Sequence, residues 1–227
     1  MADDGMLTRL AAYWDSIAPY MPSFLEASLV VMEITVLVIL LSWACGLIAA
    51  LGKTSRNRAM RGVASFYVWF IRGTPTLIQI FIVYFGLPQV GMRLSPFVAG
   101  VIALGVNSGA YVAEIVRGGL LAIPKGQMES ALATGMSHGQ AMRRIILPQV
   151  VRIIVPPITN EAVTTLKNTS LLSTITVVEL TLQAQIVIAA TYRPFDFYII
   201  AAVLYLLMTT VLTQLSTWVE RRYRVQY

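Results

Sequence analysis

The sequence predicts an all-α integral membrane protein with about five transmembrane helices, its amino terminus outside and its carboxyl terminus inside. Of the 227 residues, 57% are hydrophobic and only 12% are charged, about half the charged fraction of an ordinary soluble domain. Residues 94–113 and 197–219 contain no charged side chain at all. Each stretch is long enough to cross a bilayer, since a spanning helix needs about 20 apolar residues.

The elements follow from the apolar stretches in chain order. Residues 1–24 are expected to form an extracytoplasmic segment, in which Pro19 and Pro22 break any helix before the membrane. The predicted spans are 27–51, 63–87, 94–115, 150–167 and 197–219. The first contains one acid, Glu33, and the second one base, Arg72.

The segment after the fourth span is unusual, because prolines, acids and amides interrupt its apolar residues. We expect it to be bent and partly re-entrant as far as residue 192. Irregular backbone at membrane depth is tolerated only inside protein or beside a water-filled cavity. Lys167 lies at this junction, and its expected partner is Glu179 or another carboxylate.

Basic residues lie in alternate connections. Three groups share this placement: Lys53, Arg56, Arg58 and Arg61; Arg117, Lys125, Arg143, Arg144 and Arg152; and Arg221, Arg222 and Arg224. The positive-inside rule then puts these connections in the cytoplasm. Five spans are the count that places all three groups on one side. The net charge of +6 therefore indicates topology, and no nucleic-acid partner is expected.

Several kinds of chemistry are not predicted. Cys45 is the only cysteine and His138 the only histidine, so neither a disulfide within the chain nor a metal site is expected. "GLIAALGKT" has five residues between its glycines, whereas a phosphate-binding loop has four. With no nucleotide site and no catalytic group of residues, the chain is not expected to be an enzyme.

The polar cytoplasmic loop 122–148 has the signals of a helical hairpin. Pro124 suits the first turn of a helix, and Gly135 suits a left-handed helix end. Ser137 and Gln140 form the pattern of a capping box that starts a second helix, which Pro148 is expected to end. One alternative is an amphipathic hairpin resting on the lipid surface, although such a hairpin needs no capped break at a fixed place.

The loop contains Glu129-Ser130-Ala131, then Gly135, then Ile145-x-Leu147-Pro148. This pattern resembles the "EAA" loop of ABC importer permeases and matches it in spacing, with Ser130 the one departure. The stretches "IRGTP", "NSGAYVAEIVRGG", "AIPKGQ" and "LKNTSLLSTI" resemble the polar amino acid (histidine, glutamine, glutamate, arginine, opine) permeases. The resemblance covers roughly residues 25–224.

The resemblance implies a multi-pass permease of the bacterial inner membrane that imports polar amino acids. The implied partners are two copies of an ATP-binding subunit, a second permease (identical or homologous), an extracytoplasmic amino-acid-binding protein and membrane lipid. ATP and magnesium would bind to the ATPase and no cofactor to this chain. The loop would dock in a groove of the ATPase through Glu129, Ala131, Gly135, Ser137, Arg143, Arg144, Leu147 and Pro148.

Polar residues within the spans are candidates for the substrate pathway, because ionisable groups at membrane depth are costly. Asn107, Tyr111 and Glu114 share one face of the third span. Asn160, Thr164 and Asn168 share a face of the fourth, with Glu161 and Thr165 adjacent. We expect the two faces to oppose each other, with Glu161 attracting an amino group. The alternative for Glu114 is an ion pair at the inner surface with Arg117.

A different class of transporter stays open at this point. An ion-coupled secondary amino-acid transporter or channel would use Glu33, Glu114 and Glu161 as proton or cation sites. It predicts internal pseudosymmetry, which the sequence does not display, and gives no role to the cytoplasmic hairpin.

Overall fold

The computed structural model describes residues 12–223, and every regular element in that part of the chain is helical. Three helices are long and apolar enough to cross a membrane: Ala12–Thr54, Pro96–Leu121 and Pro194–Val219. Two further bent pairs of helices each qualify when taken as one span, which raises the count to as many as five. The predicted all-α membrane fold is confirmed. The prediction for residues 1–11 lies outside the described residues.

The first long helix begins earlier than the sequence predicted. A helical stretch over residues 12–17 continues through a 3₁₀ turn, Ala18–Tyr20, into helix α1, Met21–Thr54. The prediction that Pro19 and Pro22 break the helix is wrong, because each lies in the first turn of its element. A proline there removes an N–H that has no intrahelical acceptor anyway.

The predicted second span is not one helix. Helix α2, Arg58–Gly73, ends where Thr74 is extended (φ −120°, ψ 149°) before Pro75. A residue before proline disfavours the helical region, which explains the break. Helix α3, Thr76–Phe81, then leads through a π turn and a 3₁₀ turn to Val90, and this arm makes an angle of 112° with α2.

Helix α4, Pro96–Leu121, is the central element and packs along α1 more extensively than any other pair of helices. Glycines make this close approach possible. A Cβ at Gly46 would lie 2.5 Å from Val112 Cγ1, and a Cβ at Gly109 would lie 2.7 Å from the Cβ of Cys45. Membrane helices commonly pack through small residues in this way.

The polar loop 122–148 folds as the predicted hairpin, except at its end. Helix α5, Lys125–Ala133, is followed by the short helix α6, His138–Ala141. A π turn, Met142–Ile146, then runs directly into helix α7, Leu147–Asn168. The prediction that Pro148 ends the helix is wrong. Pro148 follows the wide turn and lies at the start of α7, where its missing N–H and its ring are tolerated.

The segment after α7 is bent, as the sequence predicted. Helix α7 keeps both Pro156 and Pro157 in its interior and continues as a 3₁₀ helix, Thr169–Ile175. Thr176 is left-handed (φ 67°), and helix α8, Leu180–Thr191, follows at an angle of 48°. Helix α9, Pro194–Tyr223, returns along α7 and α8.

Candidate pathway and coupling sites

The hairpin is stiffened by two local motifs. At the end of α5, the N–H of Met136 donates to the carbonyl of Ala131 (3.2 Å) and that of Gly135 to Leu132 (3.0 Å). This is the Schellman arrangement, and it requires the left-handed Gly135 (φ 86°). Ser137 and Gln140 then form a complete capping box. The bend between α5 and α6 is therefore fixed by hydrogen bonds.

The charged side chains of the hairpin point away from the chain. Glu129, Arg143 and Arg144 are exposed, and none forms a salt bridge with another residue in the described range 12–223. Of the other predicted coupling residues, Gly135, Ser137, Leu147 and Pro148 are also exposed, whereas Ala131 is buried. Ala131 is thus part of the hairpin's packing, and the rest form an open surface.

The apolar side of the hairpin packs against its own chain. Ile146 is buried together with Val150 and Ile154 of α7, and Met142 and Ile145 pack on the same cluster. Side chains from α4 and the following turn complete it. The hairpin is therefore joined to α4 and α7 through a continuous apolar contact.

The side chain of Asn107 forms a buried hydrogen bond and does not line an open surface. Its side chain is buried, and its amide donates to Gln79 Oε1 (2.9 Å). The amide of Gln79 in turn lies 2.8 Å from the carbonyl of Ile71 and 2.7 Å from Thr74 Oγ1. These bonds fasten the break between α2 and α3 to α4. Gln79 was not predicted as a functional or structural residue, although it is the one amide in the apolar stretch "TLIQIF".

Glu114 lies among three cations. One carboxylate oxygen accepts from Lys53 Nζ (2.5 Å), the other from Arg117 (2.7 Å), and Arg72 lies 3.7 Å away. The Arg72 guanidinium also lies over the ring of Tyr111, 5.5 Å from its centroid. The predicted pair with Arg117 is present, and helices α1 and α2 supply two further cations.

Glu161 faces a different side of α4. Ser108 donates to its carboxylate (2.7 Å), and Thr165 lies 3.3 Å from the same hydroxyl. Ser108 was not predicted, although it is the residue next to Asn107. The expectation that the Asn107 face opposes the Glu161 face is wrong, because the two point to different neighbours of α4. The cavity beside Glu161 has a volume of about 20 Å³, room for one water and not for an amino acid.

The remaining predicted residues of α7 lie at the surface. Asn160 and Thr164 are exposed, Asn168 is half-buried, and Lys167 is exposed one turn beyond Thr164. Lys167 and Val163 line an open cavity of about 320 Å³ with Thr209, Thr213 and Gln214 of α9. The expected pair between Lys167 and Glu179 does not form. Glu179 caps α8 and accepts from Tyr205 (2.6 Å).

Within the described part of the chain, no group of three or more metal-binding side chains occurs.

Comparison with known proteins places this architecture in a family. Residues 42–225 match the family model of binding-protein-dependent transport system inner membrane components. The glutamine transport system permease protein GlnP of Escherichia coli (strain K12) is 37% identical over 214 residues, which cover 93% of this chain and 98% of that protein. The arginine transport system permease protein ArtQ of Bacillus subtilis (strain 168) is 38% identical over 205 residues, covering 90% and 94% respectively.

Solved structures of transporter chains share this architecture. A chain of an amino acid ABC transporter crystallised with histidines superposes with a TM-score of 0.87 at 42% identity, covering 92% of this chain and 98% of that chain. A chain of the inward-facing MetNI methionine ABC transporter shares the fold at 20% identity (TM-score 0.75, covering 91% and 99%). The family match spans most of the helical bundle and the whole hairpin. The chain therefore belongs to the family of inner membrane components of binding-protein-dependent transport systems, as a permease subunit of an ATP-driven importer.

Proposed function

We propose that this permease forms half of the membrane pathway for a polar amino acid, and that the hairpin 122–148 docks on a separate ATPase subunit. The observation that carries the proposal is the hairpin. Hydrogen bonds fix its shape, its charges have no salt-bridge partner within residues 12–223, and its apolar side is joined to α4 and α7. A rigid element of this kind suits the transmission of a rigid-body movement.

The substrate class rests on the relatives, whose names refer to glutamine and arginine. An extracytoplasmic binding protein would deliver the amino acid. ATP and magnesium would be used by the ATPase, present in two copies, and the permease itself would carry out no covalent chemistry. The ion-coupled alternative loses its basis, because membership in this family accounts for the hairpin that it left without a role.

The pathway itself would lie at the surface of the chain and be completed by a second permease, identical or homologous. Asn160, Thr164 and Lys167 are exposed on α7 beside the threonines of α9. Polar side chains at membrane depth are costly against lipid and normally face protein or water. Lys167 would attract the carboxylate of the amino acid. Glu161, which accepts a hydrogen bond from the neutral hydroxyl of Ser108 and forms no salt bridge within residues 12–223, would attract an amino or cationic group.

The test of coupling is charge reversal on the hairpin. Arg143→Glu with Arg144→Glu, in the complete transporter in proteoliposomes, should lower substrate-stimulated ATP hydrolysis by about tenfold, the effect of losing about 1.4 kcal/mol of docking free energy. The matched control is Arg152→Glu, an exposed base on α7 beyond the hairpin. Stimulated hydrolysis that persists in the double variant would show that the hairpin does not dock on the ATPase.

A second variant tests the shape of the hairpin. Gly135→Ala places a Cβ in a left-handed residue, which costs about 1–2 kcal/mol, whereas Gly139→Ala adds the same atom in α6. Neither Cβ meets a neighbour within 4 Å. Uptake should fall in the first variant only. Equal uptake in both would mean that the fixed bend is not needed for coupling.

A further inference from the structure

A cavity between α1, α2 and α4 has no role in the proposed transport. It has a volume of about 490 Å³, within the range of small-molecule sites. Its lining includes Lys53, Ser65, Trp69, Arg72, Tyr111 and Glu114. It lies near the end of α1, on the side of the basic connection 53–61, and away from the exposed face of α7. We call it the Arg72 cavity.

The Arg72 cavity carries an excess of positive charge. Lys53, Arg72 and Arg117 surround the single carboxylate of Glu114. Both oxygens of that carboxylate already accept short hydrogen bonds, from Lys53 and from Arg117. Three cations against one anion leave about two positive charges uncompensated among the described residues of this cluster.

Among the described residues around Glu114, Arg72 is the cation that remains available. Its nearest approach to Glu114 is 3.7 Å, which is too long for a hydrogen bond, and its side chain is 46% exposed. The guanidinium is nevertheless held in place, over the ring of Tyr111. An arginine that is held in place, with N–H groups not used by Glu114, can donate two parallel hydrogen bonds to two oxygens of a phosphate.

The rim of the cavity is apolar on one side. Trp69 lines the cavity and is 70% exposed, and Phe66 lies one turn before it with a ring-centroid distance of 5.8 Å. Phe70 also stacks on Phe66, and Val63 is exposed one turn before Phe66. A free phosphate ion would leave this stripe unused. A ligand with an anionic head and hydrocarbon chains would contact both the cations and the stripe.

We infer that the Arg72 cavity binds the head group of an anionic phospholipid, with the phosphate on Arg72 and Lys53 and the acyl chains along Val63, Phe66 and Trp69. Basic pockets between membrane helices beside a basic cytoplasmic connection are typical sites for such head groups. Exposed tryptophan at the level of the head groups is equally typical. The bound lipid would neutralise charge that Glu114 alone does not.

The experiment uses the complete transporter, purified in detergent, exchanged free of native lipid, and titrated with phosphatidylglycerol under native mass spectrometry. Arg72→Gln should weaken phosphatidylglycerol binding by about tenfold, as expected for loss of a charge-assisted hydrogen bond. Arg58→Gln is the control, because it removes another exposed base at the far end of α2. Phosphatidylcholine should bind weakly, and equally to the parent and to both variants.

A second variant tests whether weaker lipid binding by Arg72→Gln could come from altered folding. Ser65→Asp adds a negative charge to the lining without removing Arg72, Lys53 or Glu114, and it should also weaken phosphatidylglycerol binding. Two results would overturn the inference. One is phosphatidylglycerol binding that is unchanged in both Arg72→Gln and Ser65→Asp. The other is displacement of the lipid by inorganic phosphate at equal concentration, which would assign the cavity to a free anion.

Discussion

Two carboxylates flank α4 and differ in their neighbours. Glu114, on α4 itself, has Lys53, Arg72 and Arg117 within 4 Å. Glu161, on α7, receives a hydrogen bond from Ser108 and has no salt bridge with any residue from 12 to 223. The two acids are both partly removed from solvent, yet one is surrounded by cations and the other by neutral hydroxyls.

The different neighbours of Glu114 and Glu161 indicate different roles for the two carboxylates. A carboxylate with several cations joins the elements that supply them, and here it links α1, α2 and α4. A carboxylate with no cation keeps its capacity to attract one, and an intramembrane charge of this kind is a functional candidate. The sequence left Glu114 open between the substrate pathway and an ion pair with Arg117, and its neighbours favour the ion pair. The neighbours of Glu161 leave its charge without a counter-ion among residues 12–223, which supports the proposed substrate role.

The largest expected effect is on stability at Glu114. Glu114→Gln leaves three cations without a counter-charge and should lower the free energy of unfolding by about 2 kcal/mol, less than for a fully buried pair because Arg72 and Arg117 are both partly exposed. Thermal unfolding of the purified permease in detergent measures this change. Glu129→Gln removes an exposed acid that forms no salt bridge within residues 12–223, and it should change stability little. Equal stability of both variants would make the Glu114 cluster unimportant to folding.

The next effect is on transport at Glu161. Glu161→Gln should lower amino-acid uptake into proteoliposomes by about tenfold, which corresponds to about 1.4 kcal/mol of lost attraction for the substrate's cationic group, and leave assembly with the ATPase intact. Ser108→Ala keeps the charge and removes one hydrogen bond, so its uptake should stay closer to that of the parent. Unchanged transport by Glu161→Gln would remove Glu161 from the pathway and erase the contrast with Glu114.

The smallest expected effect distinguishes the structural role of Asn107 from the proposed substrate contact of Asn160. Asn107→Leu leaves the buried Gln79 without its donor and should cost about 1 kcal/mol of stability, without a change in KM for uptake beyond that of the parent. Asn160→Leu, on the exposed face of α7, should raise KM and leave stability unchanged. The reverse pattern would show that the exposed face does not contact substrate.

The hairpin was predictable because its signals are local. Gly135 and the Ser137–Gln140 box each specify the backbone within one turn, and the observed bend follows them. Pro148 was misjudged, because a proline need not end a helix when the preceding turn widens, and here a π turn precedes it. The break at Thr74 before Pro75 was also a local signal, but the apolar composition of 63–87 concealed it.

The interior was less predictable because its contacts join residues far apart in sequence. Periodicity placed Asn107, Tyr111 and Glu114 on one face of α4, but it does not state which neighbour that face meets. Gln79 lies 28 residues from Asn107, and Lys53 lies 61 residues from Glu114. Only the folded chain identifies such pairs, and they decide which polar residues are satisfied internally.

The helix continues without a break from His138 through the π turn into α7, so a tilt at one end would displace the other end. From residue 138 to Asn160 the helix runs for about 33 Å at 1.5 Å per residue, with no break in its backbone. A tilt of about 10° imposed at the His138 end would displace Asn160 by about 6 Å, comparable to one helical turn. With the hairpin docked on an ATPase as proposed, small angular changes there would become displacements of side-chain size at the proposed pathway.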